Sequence, residues 1–329
     1  MTPRISVALC THNGAAFIAD QLRTIADQTV VPHEVVISDD ASTDDTRGIL
    51  EAFIDELGED SGIRVTLLLN PVSVGVTRNF EKALLACTGD LIALCDQDDL
   101  WHPDRVARAL RAFEDNPGLD LVNSNARLVD ARGVDLGLTL FDALRFSPRE
   151  RNETRPDEIF DSLLRRNVVT GATAMIRRDL LALAAPIPEP WLHDEWLAII
   201  AASLVDGGIG TVVEPLIDYR QHGTNQIGAR KLGVRERFAK LVEPRRGRND
   251  YLLARSLVLR ERLVELGDRV NRAALVESAH KVEHQSVRAG LPVRRVARAV
   301  PIIRELSSGR YMRYSRGIAD ALRDLVQPA

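Results

Sequence analysis

The sequence predicts an α/β fold: a Rossmann-like, mainly parallel central sheet with helices on both faces, followed by a C-terminal α-helical region. Two observations predict this class. Short apolar runs alternate with helical periodicity in the first third of the chain, and the links between them are short. From about residue 230 onward, arginine-rich helical patterns follow one another. We therefore predict two domains, 1–229 and 230–329, with the first divided into halves of about 1–100 and 101–229.

The first half contains four runs that suit strands, because each is apolar or β-prone and is bounded by polar residues. The predicted strands are Ile5–Cys10, Glu34–Ser38, Arg64–Leu69 and Leu91–Cys95. After each strand, apolar residues recur three and four positions apart, which predicts a helix. These helices end near Gln28, Leu57, Ala86 and Glu114. The alternation favours parallel strands with crossover helices.

The second half is less regular, and its predicted elements are shorter. Residues 119–123, 126–129 and 168–176 are strand-like, residues 193–204 form a helix, and 211–216 lead into 217–222. Residues 133–166 carry many charges and weak periodicity, which favours loops and short helices over a cleft. The C-terminal helices are expected at about 251–266, 270–287, 293–306 and 311–326.

Composition places the chain among globular proteins and shows an uneven distribution of charge. The hydrophobic share is 45%, the charged share is 27%, and the net charge is −4. Residues 1–229 carry a balance of −16 and residues 230–329 a balance of +12. This asymmetry suggests two parts with different partners. An aromatic share of only 5% and the absence of a binding motif argue against nucleic acid as a partner.

Cysteine usage and the N-terminus both indicate a cytoplasmic protein. The chain has three cysteines, an odd number, and all of them lie in apolar surroundings, which is typical of reduced and buried thiols. Met1 leads almost directly into the first strand, without the apolar region of a signal peptide.

An acidic turn follows the fourth strand, and it is the strongest indication of a binding site. Asp96, Asp98 and Asp99 lie within four residues, directly after the buried run. Ligands of open α/β sheets bind beyond the carboxyl ends of the strands. Crowded carboxylates and hard oxygen donors suit Mg²⁺ or Mn²⁺, which commonly bridge carboxylates to phosphates. The alternative interpretation is a solvated turn with a helix N-cap at Asp99 or Asp104.

Four segments, taken in order, resemble the family 2 glycosyltransferases, which have the GT-A fold. They are SVALCTHNG, VVISDDASTDDT, GVTRNFEKALLACTGDLIALCDQDDLW and HDEWLA, and they are followed by YRQHGTNQIG. The last segment and the DQDDLW wording are most similar to the bacterial rhamnosyltransferase-like branch. Two positions depart from the family. His193 precedes Asp194 where glutamate is common, and His12 stands where tyrosine is common.

The resemblance implies a nucleoside diphosphate sugar donor bound by the first half of the domain. The residues it assigns to the donor are Thr11, Asn13, Asp39, Asp40, Arg78 and Asp96. Other interpretations remain open for several of them. Asp39 and Asp40 also suit an Asx-turn and helix cap, Asn13 with Gly14 is a turn signal, and Arg78 also suits a solvated surface.

The resemblance also implies a metal site, a base and acceptor contacts. Asp98, Asp96 and His222 are the predicted ligands of Mn²⁺ or Mg²⁺, although His222 also suits a structural loop histidine. Asp194 is the predicted general base, with an N-cap aspartate as the alternative. The predicted acceptor contacts are Asp99, Trp101, Gly171 and His193. Asp99 is equally suited to metal binding or capping, and Gly171 to close strand packing.

The implied function is an inverting, metal-dependent glycosyltransferase that acts on a hydroxyl of a bacterial surface glycan. The first expectation for the donor is dTDP-rhamnose. A UDP-hexose donor and a non-catalytic nucleotide-sugar-binding scaffold are the alternatives. Arginines of the C-terminal region lie among apolar residues, which suits a peripheral contact at the inner face of the cell membrane, near a lipid-linked acceptor. A helical packing domain or a homodimer interface would explain the same pattern.

Overall fold

The computed structural model of the protein describes residues 3–58, 61–151, 156–222 and 245–328. The chain forms two compact units. The first comprises residues 1–154, 168–201 and 207–229, and the second comprises 155–167, 202–206 and 230–329. Residues 155–167 and 202–206 thus pack with the C-terminal residues, which the linear pattern did not indicate. The predicted domain boundary at residue 229 stays a prediction.

The first half of unit 1 is a parallel sheet flanked by helices, as predicted. Its strands are β1 (Ile5–Thr11), β2 (Glu34–Asp39), β3 (Arg64–Leu69) and β4 (Leu91–Cys95), in the spatial order β3-β2-β1-β4. Its helices are α1 (Ile18–Ala26), α2 (Thr46–Leu57), α3 (Val76–Ala86) and, after the acidic turn, α4 (Arg105–Asp115). Every residue of β1, β2 and β4 is buried, which is expected of strands covered on both faces.

The sheet continues as a mixed sheet in the second half of unit 1. The remaining strands are β5 (Leu100–Trp101), β6 (Leu121–Asp130), β7 (Asp135–Thr139), β8 (Ala174–Arg177) and β9 (Ile209–Gln221). The order continues β4-β8-β6-β9-β5, and β7 pairs with β6. β8 is antiparallel to both β4 and β6, whereas β6 and β9 are parallel. The period of apolar residues identifies a strand but carries no information on its direction, so this mixture was not predicted.

Two local differences from the predicted elements have physical causes. The two predicted segments, 119–123 and 126–129, are parts of one strand, β6, which begins at Leu121 and whose register shifts around Asn125, so the pattern is interrupted. β7 lies in a region predicted to contain only loops and short helices. Its sequence, DLGLT, alternates apolar and polar residues as an edge strand would, and the prediction did not use this short pattern; four of its five residues are exposed.

Short helices connect the strands of the second half. They are α5 (Leu140–Leu144), α6 (Pro148–Arg151), α7 (Pro156–Arg165), α8 (Asp179–Ala184) and α9 (His193–Ser203). A single 3₁₀ turn, Gly171–Thr173, precedes β8. The start of α9 agrees with the prediction, and it places His193 and Asp194 in the first turn of that helix.

Unit 2 is helical, as predicted, and has its own core. Its further helices are α10 (Arg245–Leu266), α11 (Arg272–Ala289), α12 (Arg295–Ser307), α13 (Arg310–Tyr314) and α14 (Ile318–Val326). The predicted helix at 311–326 is two helices, because Gly317 adopts a φ of 64°, which ends the helical path. The core contains Leu291, Ile302, Tyr311 and Ala321. It also contains the buried carboxylate of Asp324, which accepts hydrogen bonds from Arg288 and Tyr311 at 2.6 and 2.9 Å.

Candidate active site

Three loops leave the carboxyl ends of β1, β2 and β4 and meet at one edge of the sheet. Gln97, in the acidic turn after β4, joins the first loop to the third. Its Oε1 accepts hydrogen bonds from Thr11 Oγ1 at 2.7 Å and from the His12 backbone N–H at 2.8 Å. A Cβ on Gly14 would lie 2.3 Å from that oxygen, so a larger residue there would displace the Gln97 side chain. Gln97 was not among the predicted site residues, because nothing in its own segment marks it.

The first loop is also tied to the loop after β2. Asn13 has a φ of 51°, its N–H donates to Ser42 Oγ at 2.8 Å, and its Oδ1 accepts from the Thr43 N–H at 2.8 Å. The ring Nδ1 of His12 lies 2.6 Å from the Asp40 carbonyl oxygen, which it contacts as a donor. Asn13 therefore has the turn geometry that its sequence also suggested. Its predicted nucleotide contact stays a prediction.

The two aspartates after β2 differ in what they bind within the protein. Asp39 is buried and accepts from the Ser42 N–H at 3.0 Å and from Ser42 Oγ. Asp40 accepts from Asn70 Nδ2, Ser73 Oγ and the N–H groups of Val74 and Gly75, at 2.7 to 2.9 Å. Burial alone would raise the pKa of Asp40, but these hydrogen bonds prevail and lower it. Asp40 thus fixes the loop between β3 and α3.

Arg78 lies on α3, close to the start of the helix. Its guanidinium forms an ion pair with Glu81 one turn later, at 2.5 Å, and 46% of its side chain is exposed. The other Glu81 oxygen accepts from the Ile187 N–H at 2.6 Å. The structure thus places Arg78 in a surface ion pair, and its predicted contact with phosphates stays a prediction.

The acidic turn holds carboxylates in surroundings that oppose their ionisation. Burial, together with the negative charges of Asp98 and Asp194, raises the pKa of Asp96 to about 7. Burial, together with Asp98 and Asp96, raises the pKa of Asp99 well above its usual range. Asp99 Oδ1 accepts from the Arg220 N–H at 3.1 Å, whereas Oδ2 is buried and has no hydrogen-bond partner among the residues that the structure describes. These side chains form one electrostatic cluster.

Arg105 supplies positive charge beneath this cluster. It is buried, and its Nη2 donates to the carbonyl oxygens of Leu94 and Ala172 at 3.1 and 2.8 Å. Its guanidinium also lies 3.6 Å from the centre of the Trp101 ring, in a cation–π contact. Burial lowers the pKa of Arg105 to about 10, which leaves it charged at neutral pH. Trp101 is itself buried, so it supports the turn rather than presenting its ring to solvent.

The residues predicted to hold a cation are suited to it in their chemistry. His222 Nε2 lies 2.6 Å from Asp98 Oδ2, so two of the three predicted ligands are in contact. Asp96 is the third predicted ligand. Its pKa is raised by the neighbouring carboxylates, and a divalent cation would relieve the repulsion between these charges. Within the described part of the chain, no group of three or more His, Cys, Asp or Glu side chains is already spaced to hold an ion.

Asp194 lies at the first turn of α9, beside the 3₁₀ turn that contains Gly171. Its Oδ2 accepts a hydrogen bond from the Gly171 N–H at 3.1 Å. A Cβ on Gly171 would lie 2.9 Å from His193 Nε2 and 3.4 Å from Asp194 Cβ, so this glycine permits close packing. The charge of Asp194 contributes to the raised pKa of Asp96, which places both in the same cluster.

His193 is buried between this glycine and α3. Its ring stacks on Phe80 with centroids 3.9 Å apart and an angle of 16°. Neither ring nitrogen has a hydrogen-bond partner among the described residues, and burial lowers the pKa of His193 to about 3. The imidazole is therefore neutral at physiological pH. It does not orient Asp194 through a hydrogen bond.

Comparison with known proteins identifies the family. Residues 6–182 match the family model described as "Glycosyl transferase family 2". An uncharacterized glycosyltransferase of Nostoc is 25% identical over 252 residues, which are 72% of this chain and 70% of that protein. The dTDP-rhamnosyl transferase RfbG of Shigella flexneri is 27% identical over 232 residues, 67% of this chain and 74% of that protein. An uncharacterized protein of Mycobacterium tuberculosis is 28% identical, and the match spans 66% of this chain but 59% of that protein.

Solved structures share the fold. Residues 1–349 of TarS from S. aureus, in complex with UDP-GlcNAc, superpose with a TM-score of 0.56 at 18% identity. The match covers 97% of this chain and 89% of that one. The mannosyltransferase PcManGT from Pyrobaculum calidifontis, in complex with GDP-Man and Mn²⁺, gives a TM-score of 0.53 at 18% identity, over 94% of this chain and 76% of that one.

The family match covers more than half of the chain, and it begins in β1 and ends in α8. It therefore includes the three loops of the site and the acidic turn. The resemblance predicted from the four sequence segments is confirmed. The chain belongs to glycosyltransferase family 2, and it is a nucleotide-sugar-dependent glycosyltransferase with the GT-A fold.

Proposed function

We propose that this glycosyltransferase is metal-dependent, inverts the anomeric centre, and uses Asp194 as its general base. One observation carries the proposal. Asp194 is fixed at the start of α9 by the Gly171 N–H, and its charge acts on the same carboxylate cluster that would hold the cation. The proposed proton acceptor would thus act close to the carboxylates proposed to hold the cation and, through it, the diphosphate.

In the proposed mechanism, an acceptor hydroxyl attacks the C1 atom of the donor sugar while Asp194 takes its proton. A sugar hydroxyl is a weak nucleophile, and removal of the proton during attack makes it competent. The C1–O bond to the diphosphate breaks as the new glycosidic bond forms on the opposite face, which inverts C1. The proposed acceptor contacts are Asp99, Trp101, Gly171 and His193. Trp101 and Asp99 are buried, so they would affect acceptor binding indirectly, by fixing the position of the acidic turn.

Asp98, Asp96 and His222 are the proposed ligands of Mn²⁺ or Mg²⁺. When bound, the cation would act as a Lewis acid toward the departing diphosphate. His222 Nε2 and Asp98 Oδ2 are 2.6 Å apart, so these two side chains already lie side by side. The Oδ2 atom of Asp99, which is buried and has no hydrogen bond within the described ranges, lies in the same turn and is a further candidate oxygen ligand.

For the donor, we propose dTDP-rhamnose bound by the loops after β1 and β2. Thr11, Asn13, Asp39 and Asp40 would line the nucleoside pocket, with Arg78 near the phosphates. The similarity to a dTDP-rhamnosyl transferase over two thirds of the chain supports this donor. A UDP-hexose is the alternative, and the similarity in fold to a UDP-GlcNAc complex is compatible with it. Thermal unfolding with each nucleotide sugar and Mn²⁺ would separate the two, because only a bound ligand raises the melting temperature.

The acceptor is proposed to be a hydroxyl of a bacterial surface glycan, free or lipid-linked. A homodimer and peripheral membrane contact also stay predictions. No helix in the described ranges has the length and apolar character needed to cross a membrane.

The Asp194→Asn variant tests the base directly. We expect transfer to fall by roughly a hundredfold to ten-thousandfold, while the donor-induced rise in melting temperature is retained. Asp179→Asn is the matched control, because Asp179 lies in the first turn of α8 and is exposed. Unchanged turnover in Asp194→Asn would refute the base. Donor binding without transfer to any glycan acceptor, in wild type as well, would favour a non-catalytic scaffold.

A further inference from the structure

Helix α12 exposes an apolar face to solvent. Val296, Val300 and Ile303 follow one another at spacings of four and three residues, so they lie on one side of the helix. They are 89%, 75% and 62% exposed, and Val293, just before the helix, is 71% exposed. The helix packs into the core of unit 2 through a different face, which includes Ile302. The apolar face therefore does not belong to that core.

The charges around this face are all positive. Residues 291–304 contain four arginines and no acidic residue. Arg298 is buried and donates to backbone carbonyls, including those of Pro292 at 2.8 Å and Gln327 at 2.7 Å, so it holds the end of α14. Arg294, Arg295 and Arg304 are exposed and form no ion pair with any residue in the described part of the chain.

Two neighbouring arginines of unit 2 are already paired with acidic side chains. Arg310 forms an ion pair with Glu283 at 2.6 Å, and Arg313 forms one with Asp161 at 2.9 Å. The first acidic residue after the stretch is Glu305, which is buried and bonded to His284 Nδ1 at 2.6 Å. The positive charge that remains available on α12 is thus concentrated beside its exposed valines and isoleucine.

We propose that this surface docks on a membrane that contains anionic lipid. The α12 face, as we call it, consists of Val293, Arg294, Arg295, Val296, Val300, Ile303 and Arg304. An apolar stripe flanked by arginines is the pattern of a helix that lies in the interface plane, with apolar side chains among acyl chains and guanidinium groups at phosphates. A second copy of the chain fits less well, because a two-fold contact would bring the two sets of arginines together.

Vesicle binding tests the charge component. The full chain is sedimented with vesicles of phosphatidylcholine mixed with phosphatidylglycerol, and with phosphatidylcholine alone. We expect binding to the anionic vesicles only, and weaker binding as salt is raised. The double variant Arg294→Gln/Arg295→Gln should bind about thirtyfold more weakly. Its matched control is Arg269→Gln/Arg272→Gln, which removes two exposed arginines elsewhere in unit 2.

A second pair of variants tests the apolar component. Val296→Ser/Val300→Ser should weaken binding at least tenfold, whereas Leu257→Ser/Val264→Ser, at two exposed positions of α10, should not. Circular dichroism and thermal unfolding confirm that each variant is folded. Absence of wild-type binding to anionic vesicles at low salt would overturn the proposal. So would equal losses in the α12 and α10 variants, or a wild-type dimer that Val296→Ser/Val300→Ser converts to monomers without any vesicle binding. None of these measurements depends on transferase activity.

Discussion

The two ends of the sheet in unit 1 treat buried carboxylates in opposite ways. At the amino end, Glu34 begins β2 and is surrounded by donors. Its Oε1 accepts from Ser6 Oγ, from Thr88 Oγ1 and N–H, and from the Gly89 N–H, while Oε2 pairs with Arg64. Burial alone would raise its pKa, but these bonds prevail and lower it to about 2. Glu34 is ionised and fully occupied within the protein.

At the carboxyl end, the acidic turn after β4 contains carboxylates with few donors. Asp96 has its pKa raised to about 7, and Asp99 has a buried oxygen that no described residue contacts by a hydrogen bond. Position alone does not explain the contrast, since Asp40, beyond the carboxyl end of β2, accepts four hydrogen bonds and has a lowered pKa. The difference is in the supply of donors. Crowded carboxylates with few donors are chemically suited to a ligand that brings positive charge.

The largest expected effect comes from removing a carboxylate of the acidic turn, at the carboxyl end of the sheet. Asp98→Asn should reduce transfer on the order of a hundredfold or more and abolish the rise in melting temperature caused by Mn²⁺. The same change should stabilise the metal-free protein slightly, because one repulsive charge beside Asp96 is removed. Activity and thermal unfolding with and without Mn²⁺ measure this. Asp115→Asn, at the exposed end of α4, is the control. Full activity of wild type in excess chelator would contradict the metal site.

The opposite result is expected at the amino end. Glu34→Gln should lower the free energy of unfolding by about 2 kcal/mol and leave transfer per folded molecule unchanged. Glu51→Gln is its matched control, because the Glu51–Arg47 pair is exposed and should contribute less than about 0.5 kcal/mol. Urea unfolding compares the two. Since the pKa of Glu34 is lowered in the fold, its contribution is present above pH 4.5 and is lost as pH falls toward 2. Equal stability of both variants would remove the contrast.

The sequence predicted the parts of this contrast that depend on local pattern. The strand ending at Cys95 and the aspartates after it are adjacent in the chain, so both the site edge and its acidic character could be inferred. The start of the helix at His193 could be predicted for the same reason, because its signal also lies in adjacent residues. The family resemblance supplied the roles, because no spacing in the chain links Asp194 to Asp96.

What the sequence did not reveal depends on contacts between distant segments. Gln97 bonds to Thr11 across 86 positions, and nothing near either residue marks the pair. Arg105 begins a helix and would pass for a solvated residue, yet it is buried beneath the acidic turn. The structural use of Asp40 depends on a loop more than 30 residues later. Motif spacing cannot distinguish Asp40, which has four donors, from Asp99, which accepts one hydrogen bond from the Arg220 N–H.

The last expected effect is a dependence of the free energy of unfolding on pH, which arises from the acidic turn at the carboxyl end of the sheet. The pKa of Asp96 is raised to about 7 in the fold, so between pH 4 and 7 the folded state binds a proton that the unfolded state has lost. Stability of the metal-free protein should therefore fall as pH rises through this window, by about 1 kcal/mol per pH unit, and level off above it. Asp96→Asn should flatten this slope, whereas Glu34→Gln should not. Urea unfolding at a series of pH values measures both, and a slope that persists in Asp96→Asn would assign the proton to another group of the cluster.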